Sequence, residues 1–433
     1  MTTGTDRPKL LFMTSAEPSG SRIHRLRQSV IPLPGPIRTL TKATLANTIG
    51  NGLFFTVEVI FFTRSVGLSG HEVALGLGIA AAVGLIVSVP AGHLADRRGP
   101  RELSAASCVF EGLAMAAFTL VHSFAGFVFV SALGSIFSSA SGSTRAALMS
   151  RFGVGEQRVH VRAFQRAVTN FGMSIGMVIA GVALAIDTRD AYLTMVLSNA
   201  VTFIVSAYFV MQLPAMPPVP LSAGDKRAPM SVVLTDRRYL TASALNGLFW
   251  IHFVVQSVGL PLWIIDHTRA PRWWVALLLI INTVMIITFQ VRLSRGSGDI
   301  TTAARAFRRS GVLIAVAMIC YGAASGMNAV TASIVLVVGM IFHTVGELYS
   351  SGASWGIGFG MAREDLQGQY QGAYSLGRGL SGVLGPLIVI SIATSPARLG
   401  WFVLAGMFVL VGAAFLPLVN SYVRVNGRQR QSD

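Results

Sequence analysis

Three carboxylates stand where carboxylates are costly. Glu58, Glu111 and Glu347 each fall in a run of mostly apolar residues long enough to cross a bilayer, and an acidic side chain at that depth faces a cavity or a partner. A buried carboxyl that gains and loses a proton is a coupling device. At about 100° per residue, Asn47, Asn51 and Glu58 lie within about 40° of one another on a helix, with Phe54 and Phe55 close by. Gly339, His343, Glu347, Ser350 and Ser354 share a second face. Asn246, Trp250, Phe253 and Ser257 share a third, with His252 and Gln256 turned elsewhere on the same helix. Glu58 and Glu347 are therefore expected to couple protons, and Asn51, Phe54, Phe55, Trp250, Phe253 and His343 to line a substrate cavity. Glu111 is expected to pair with a neighbouring helix.

Other chemistry is poorly supplied. No His-Glu-x-x-His, nucleophile elbow or phosphate-cradling loop with its lysine is present, so an enzyme is not expected, and neither a catalytic residue nor a cofactor is assigned. The two cysteines, Cys108 and Cys320, sit in apolar stretches and suggest neither a disulfide nor a metal site. A net charge of +16 raises the question of nucleic acid, but the basic residues fall mostly in short connections and tails, the pattern of membrane topology.

The elements that must position these residues are helices. With 52% hydrophobic and 12% charged residues, the 433-residue chain has far less charge than soluble domains carry. Spans are predicted at about 40–63, 73–94, 103–121, 125–149, 168–186, 191–213, 240–265, 273–290, 310–328, 329–355, 371–394 and 400–422. The expected fold is an all-α membrane protein of twelve transmembrane helices in two pseudo-symmetric six-helix bundles. Its parts are a tail over 1–38, a first bundle over 39–213, a connector over 214–239, a second bundle over 240–423 and a tail over 424–433. The first tail lacks the apolar core of a signal peptide. Of 34 Lys and Arg, 26 fall in the tails and the alternate connections continuous with them, against Arg189, Arg269, Arg272 and Arg398 in the other connections. Both termini are thus expected on the cytoplasmic face of a cell (plasma or inner) membrane. Gly172-x-x-x-Gly176 and Ser381-x-x-x-Gly385 put small residues at matching places in the fifth and eleventh spans, a faint internal repeat.

The connection after the second span reads Gly92-His-Leu-Ala-Asp96-Arg97-Arg98-Gly99-Pro100-Arg101. In this loop the chain resembles the major facilitator superfamily, whose signature there is Gly, three residues, Asp, a basic residue, any residue, Gly and further basic residues. Gly92, Asp96, Arg97, Gly99 and Arg101 fit, and Pro100 departs from a usual basic position. Asp96 has Arg97, Arg101 or a helix N-terminus as partners in reach. The resemblance implies that this motif holds the cytoplasmic gate closed in the outward-facing state. It also implies that spans one, four, seven and ten surround the cavity, where the stripes of Glu58 and Glu347 would converge. The exporter branch carries a Gly-rich fifth span ending in Gly-Pro; here Gly172, Gly176 and Gly181 remain while Met177 replaces the proline. Arg145 stands near the family's fourth-span arginine without its Gln-Gly and is read as a gate or interhelical contact. Arg378 either neutralises Glu347 or binds an anionic substrate.

The expected activity is proton-coupled export of small amphipathic drug-like or metabolite molecules by alternating access, an antiporter of the multidrug efflux type. Its partners are a small-molecule substrate, protons and the lipid bilayer, with no nucleic acid, and the chain is expected to act as a monomer. The alternatives are a proton-coupled importer of a small polar nutrient and a transporter-like membrane sensor.

Overall fold

A computed structural model describes residues 35–152, 155–216, 229, 231–393 and 398–432. The first tail through residue 34, most of the connector and the last residue lie outside the described residues. Twelve long helices follow in order: α1 Pro36–Ile60, continuing through a π turn to Ser65, α2 Gly70–Arg98, α3 Pro100–Ala117, α4 Phe124–Ser150, α5 Glu156–Ile186 and α6 Arg189–Met211. Then come α7 Arg237–His267, interrupted by a π turn at Val255–Gly259, α8 Trp274–Leu293, α9 Ile300–Ala323, α10 Ala329–Gly360, α11 Gln367–Ala393 and α12 Leu399–Ser432. Eleven of them are long and apolar enough to cross a membrane, and α11, with 27 residues, has the length to join them.

Local sequence sets the boundaries. Ser69 and Glu72 form a reciprocal capping box at the start of α2, and Ser123, Thr188, Asp236, Asn328 and Asp299 each cap a helix by accepting a backbone N–H. Gly99, at φ 98°, ends α2, and Pro100 begins α3 without the N–H that a first helical turn leaves unused. One residue thus turns the chain between two spans.

The pairing of the helices repeats. α1 packs on α5 and α6, α3 on α4 and α6, and α2 on α4; adding six to every number gives α7 on α11 and α12, α9 on α10 and α12, and α8 on α10, all of which occur. The faint repeat in sequence marks a real equivalence. A Cβ on Gly176 would lie 2.1 Å from the Ile49 carbonyl oxygen of α1, and one on Gly377 in α11 would lie 2.1 Å from the Ser243 carbonyl oxygen of α7. Small residues let the α1–α5 and α7–α11 backbones meet where no hydrophobic effect drives helices together in lipid. Leu120, Ile86, Val178 and Leu410 point outward, fully exposed as lipid would have them, while Asn199, Ser206, Gln290, Ser310 and Thr344 are buried inside.

Three predicted boundaries need correction. The fifth span begins at Glu156 rather than 168, so Arg158, Arg162 and Arg166 belong to the helix and not to a loop. The ninth begins at Ile300 and the tenth runs to Gly360. Arg166, in the added turns of α5, reaches across the seam between bundles, which a hydropathy reading takes for water.

Candidate transport site and gate

Among the described residues the extensive contacts between the two bundles lie in one half, the half that carries the basic connections. There α2 packs on α11, α8 on α5, α4 on α11 and α10 on α5. Every contact in that set maps onto another under the same six-helix shift. Among the described residues no hydrogen bond or ion pair joins the bundles in the other half, which is therefore the open one.

Two latches close the basic end. The Asp96 carboxylate accepts the backbone N–H groups of Gly368 (2.8 Å) and Gln369 (2.9 Å) at the start of α11, where helix geometry leaves donors unsatisfied and the dipole favours an anion. Gly92 is needed beneath it: a Cβ there would sit 2.0 Å from the Gly368 carbonyl oxygen. His93 adds a 2.6 Å contact to Gln369. Across the pseudo-twofold, Glu156 at the start of α5 accepts the N–H groups of Gly296 (2.7 Å) and Gly298 (2.9 Å) in the α8–α9 connection. A Cβ on Gly298 would meet the Glu156 backbone nitrogen at 2.2 Å. The first latch uses the helix terminus among the partners the motif allowed. Arg101 does not join it; it donates to the Met211 carbonyl oxygen at the end of α6 (2.7 Å). Arg97 is exposed beside the turn. The Glu156 latch escaped the sequence reading, although an acidic residue directly after Gly155 is its signal.

Deeper in the seam, Arg166 of α5 donates one guanidinium N–H to Glu347 of α10 and another to Ser351 (3.0 Å). Asn282 of α8 donates to the other Glu347 oxygen at 2.9 Å. The carboxylate is 1% exposed and the arginine 17%, so this is the buried ion pair of the interface. Arg166 lies ten residues into α5, about 15 Å from the basic end. The sequence places Arg166 in a loop and offers Arg378 as a partner of Glu347; the structure gives Glu347 to Arg166 instead.

Beside this pair, a small recess of about 10 Å³, room for about one water, opens in the wall of the second bundle, lined by Arg166, Arg378, Asn246, Trp250, Phe253 and a row of α10 serines among others. The Arg378 guanidinium lies over the Trp250 ring at 5.4 Å, and that of Arg166 over Phe253 at 5.2 Å. Trp250 and Phe253 are therefore where the third helical face placed them. His343 is not. It is fully buried, bonded to His252 (3.1 Å) and to the Tyr321 hydroxyl (3.3 Å) inside the second bundle.

The first helix also departs from expectation. Phe54 is buried in the first bundle's core, stacked on Phe118 at 5.7 Å, because it lies on the side of α1 that carries Leu53 and Val57. Phe55, one residue on, is 68% exposed. Asn51 is half-buried and donates to Asn47 at 3.5 Å. Glu58 is half-buried with no hydrogen bond or ion pair among the described residues. Thr41 meets Gln165, Thr48 meets Gly172 and Gly52 meets Gly176, a constant offset of 124 that sets Glu58 level with residue 182. That is sixteen residues, or about 24 Å, beyond Arg166 toward the open end. The stripes of Glu58 and Glu347 do not converge, because residue count gives an angle around a helix and not a depth along it. Arg145 is an interhelical contact of the first bundle, donating to Ser206 (3.3 Å) with Glu111 and its partner Ser138 nearby.

A two-bundle, pseudo-symmetric helical membrane protein with this gate has a counterpart in sequence: the profile of the Major Facilitator Superfamily matches residues 41–386. The chain belongs to the Major Facilitator Superfamily. It is a transporter of that family rather than an enzyme. Its fold is similar to a bacterial homologue of the iron transporter ferroportin in an outward-facing state, with a TM-score of 0.73 at 15% identity over 90% of this chain and 99% of that one. It is also similar to the human organic anion transporter MFSD10 (TETRAN), at 0.64 and 14% over 90% and 99%. The proton:xylose symporter XylE scores 0.64 at 15% over 87% and 94%. Among curated proteins no sequence relative matches.

Proposed function

We propose that this facilitator-family transporter is a proton-driven exporter of small amphipathic molecules working by alternating access, with Glu347 as its proton-coupling residue. The observation that carries the reading is the buried Arg166–Glu347 pair across the bundle seam. Ionised, Glu347 ties α10 to α5 and closes the basic end. Protonated, it gives up the charge that Arg166 answers, and a charge-assisted contact becomes an ordinary one. The basic end then opens. Substrate entering from that side meets a site whose carboxyl is neutral; loss of the proton to that side restores the pair, closes the gate and exposes the substrate to the open half.

The positive-inside pattern makes the basic end cytoplasmic, so the cycle exchanges inward-moving protons for outward-moving substrate. The Asp96 and Glu156 latches set how much energy the pair must add. Glu58, near the open mouth and without a partner among the described residues, is a proton entry point rather than a second coupling site.

Proteoliposomes with an imposed pH gradient and a panel of fluorescent amphiphiles test this. The parent protein is expected to drive gradient-dependent accumulation, and Glu347→Gln to abolish it. Flux of the opposite sign would make the chain an importer, and gradient-dependent accumulation in Glu347→Gln equal to the parent's would remove Glu347 from coupling.

A further inference from the structure

A larger cavity than the recess at the seam lies at the basic end of the second bundle. Its volume is about 80 Å³, room for several waters and so for a phosphate group. Arg295 of the α8–α9 connection, Arg305 and Arg309 of α9 and Tyr349 of α10 line it, with Ser297 and Thr302 adding hydroxyls. Tyr349 stands about 200° around α10 from Glu347, so the cavity faces away from the bundle seam.

The three guanidiniums there are uncommitted. None is in an ion pair among the described residues, and no described carboxylate lines the cavity. Asp299, the carboxylate nearest in sequence, is occupied in capping α9 through the Thr302 N–H (2.7 Å). Arg305 is steadied by the Thr302 hydroxyl at 3.2 Å. The connection that carries Arg295 is pinned as well: Gly296 and Gly298 donate to Glu156, and the buried Ser294 donates to the Gln290 carbonyl oxygen (2.8 Å). Arg295 and Arg305 are thus in place before a ligand arrives, which lowers the cost of binding one. In the matching connection of the first bundle Arg101 is already used, by the Met211 carbonyl oxygen (2.7 Å) and by Glu102 (3.6 Å).

The surface that continues from the cavity distinguishes a lipid from a soluble anion. Arg305, Arg309, Val312, Val316 and Ile319 follow one another at alternating spacings of four and three, a single face of α9. That face is exposed or half-buried throughout, and it changes from arginine to aliphatic within one turn. From Arg309 to Ile319 is about 15 Å, half the hydrocarbon thickness of a bilayer. α10 packs against both α8 and α9 and adds a second outward row of Tyr349, Val345, Phe342 and Val338. Its tyrosine stands level with the arginines, where headgroups lie. A phosphate held by the arginines therefore has an apolar track one leaflet deep leading away from it.

We propose that this cavity is a binding site for the phosphate of an anionic phospholipid in the leaflet at the basic end, with the headgroup on Arg295, Arg305 and Arg309 and the acyl chains along α9 and α10. Guanidinium forks match phosphate oxygens. A zwitterionic headgroup would bring an ammonium with no lining carboxylate to receive it.

Native mass spectrometry of the full chain, purified in detergent and equilibrated with equal amounts of phosphatidylglycerol and phosphatidylcholine of matched acyl chains, tests it. The first retained lipid is expected to be phosphatidylglycerol, by at least about ten-fold over phosphatidylcholine. Arg305→Gln combined with Arg309→Gln should remove most of that preference. Arg237→Gln combined with Arg424→Gln, exposed arginines outside the cavity, should leave it in place. Equimolar sn-glycerol 1-phosphate, which has the phosphate without the chains, should not displace the lipid. Equal retention of the two lipids by the parent protein overturns the proposal without recourse to any variant. A preference unmoved by the cavity substitutions, or lowered equally by both pairs, also overturns it, since the lipid would then be answering net charge. Displacement by glycerol 1-phosphate overturns it in favour of a soluble phosphate ester.

Discussion

Replacing Glu347 with glutamine should open the basic end without unfolding either bundle. The side chain keeps its shape and one acceptor oxygen toward Arg166, while its amide nitrogen faces the donating Asn282 amide, so what is lost is charge and one acceptor. A hydrogen bond to a charged group contributes about 1.5–3 kcal/mol and a neutral one about 0.5–1.5. Here the loss also leaves Arg166 buried beside Arg162 and Arg378 with no counter-ion, which places the total at about 2–3 kcal/mol. At about 1.4 kcal/mol per decade, that moves the closed-to-open ratio by roughly 30- to 150-fold. Spin labels on Arg98→Cys and Arg363→Cys, both exposed at the basic end of opposite bundles, report the change by pulsed electron resonance. Cys108 and Cys320 are first replaced by alanine. The parent should show one short distance at neutral pH, and Glu347→Gln a second, longer population. An unchanged distribution in that variant would mean that the pair does not hold the gate, and the reasoning from its burial would fail.

Other perturbations separate the gate from the scaffold. Gly92→Ala places a methyl against the Gly368 carbonyl oxygen and should hold the basic end open, with little change in melting temperature. Gly176→Ala makes a similar clash inside the first bundle and should instead lower thermal stability, by about 1–3 kcal/mol of overpacking, which a melting curve in detergent measures. Asp96→Ala strands the backbone donors of Gly368 and Gln369 and should raise the open fraction in the same spin-label assay, additively with Gly298→Ala on the other latch. At the open end, the Tyr192 hydroxyl and then Arg64 hold the Asp187 carboxyl below the usual carboxylate range. A lowered folded value means that its contribution is present above the unfolded carboxyl's pKa, about 3.9, and disappears as pH falls through the folded one. The melting-temperature gap between parent and Asp187→Asn should therefore be flat from neutral pH down to about pH 5 and close below about pH 4.

Much of the architecture was legible because lipid imposes a simple rule. A backbone that must bond to itself reads as long apolar runs, so the order of the helices, the basic connections and the Gly92–Arg101 turn stand in plain view. The face of α7 that carries Trp250 and Phe253 was legible too, since angular position follows from residue count alone. Depth and partner were not. Nothing in α1 says how high Glu58 rides against α10, and Phe54 and Phe55 differ only by the 100° that separates core from outside. Arg162 and Arg166 were hidden by the rule that made the rest readable: a charge near a span end counts as a loop charge until its partner is seen. Their spacing of four at the start of an otherwise amphipathic helix was the signal available. The Glu111 pairing within the first bundle needed only the peripheral place of α3.

Proton coupling through Glu347 is tested most directly by measuring net flux and exchange on the same proteoliposomes. With a labelled substrate on one side and unlabelled on the other, exchange moves no net proton, whereas accumulation against a gradient does. The parent should do both, and Glu347→Gln, whose closed form is depleted but not abolished, should exchange label while failing to concentrate it under a pH gradient. A Glu347→Gln variant that concentrates the substrate as the parent does would contradict coupling through the Arg166–Glu347 pair.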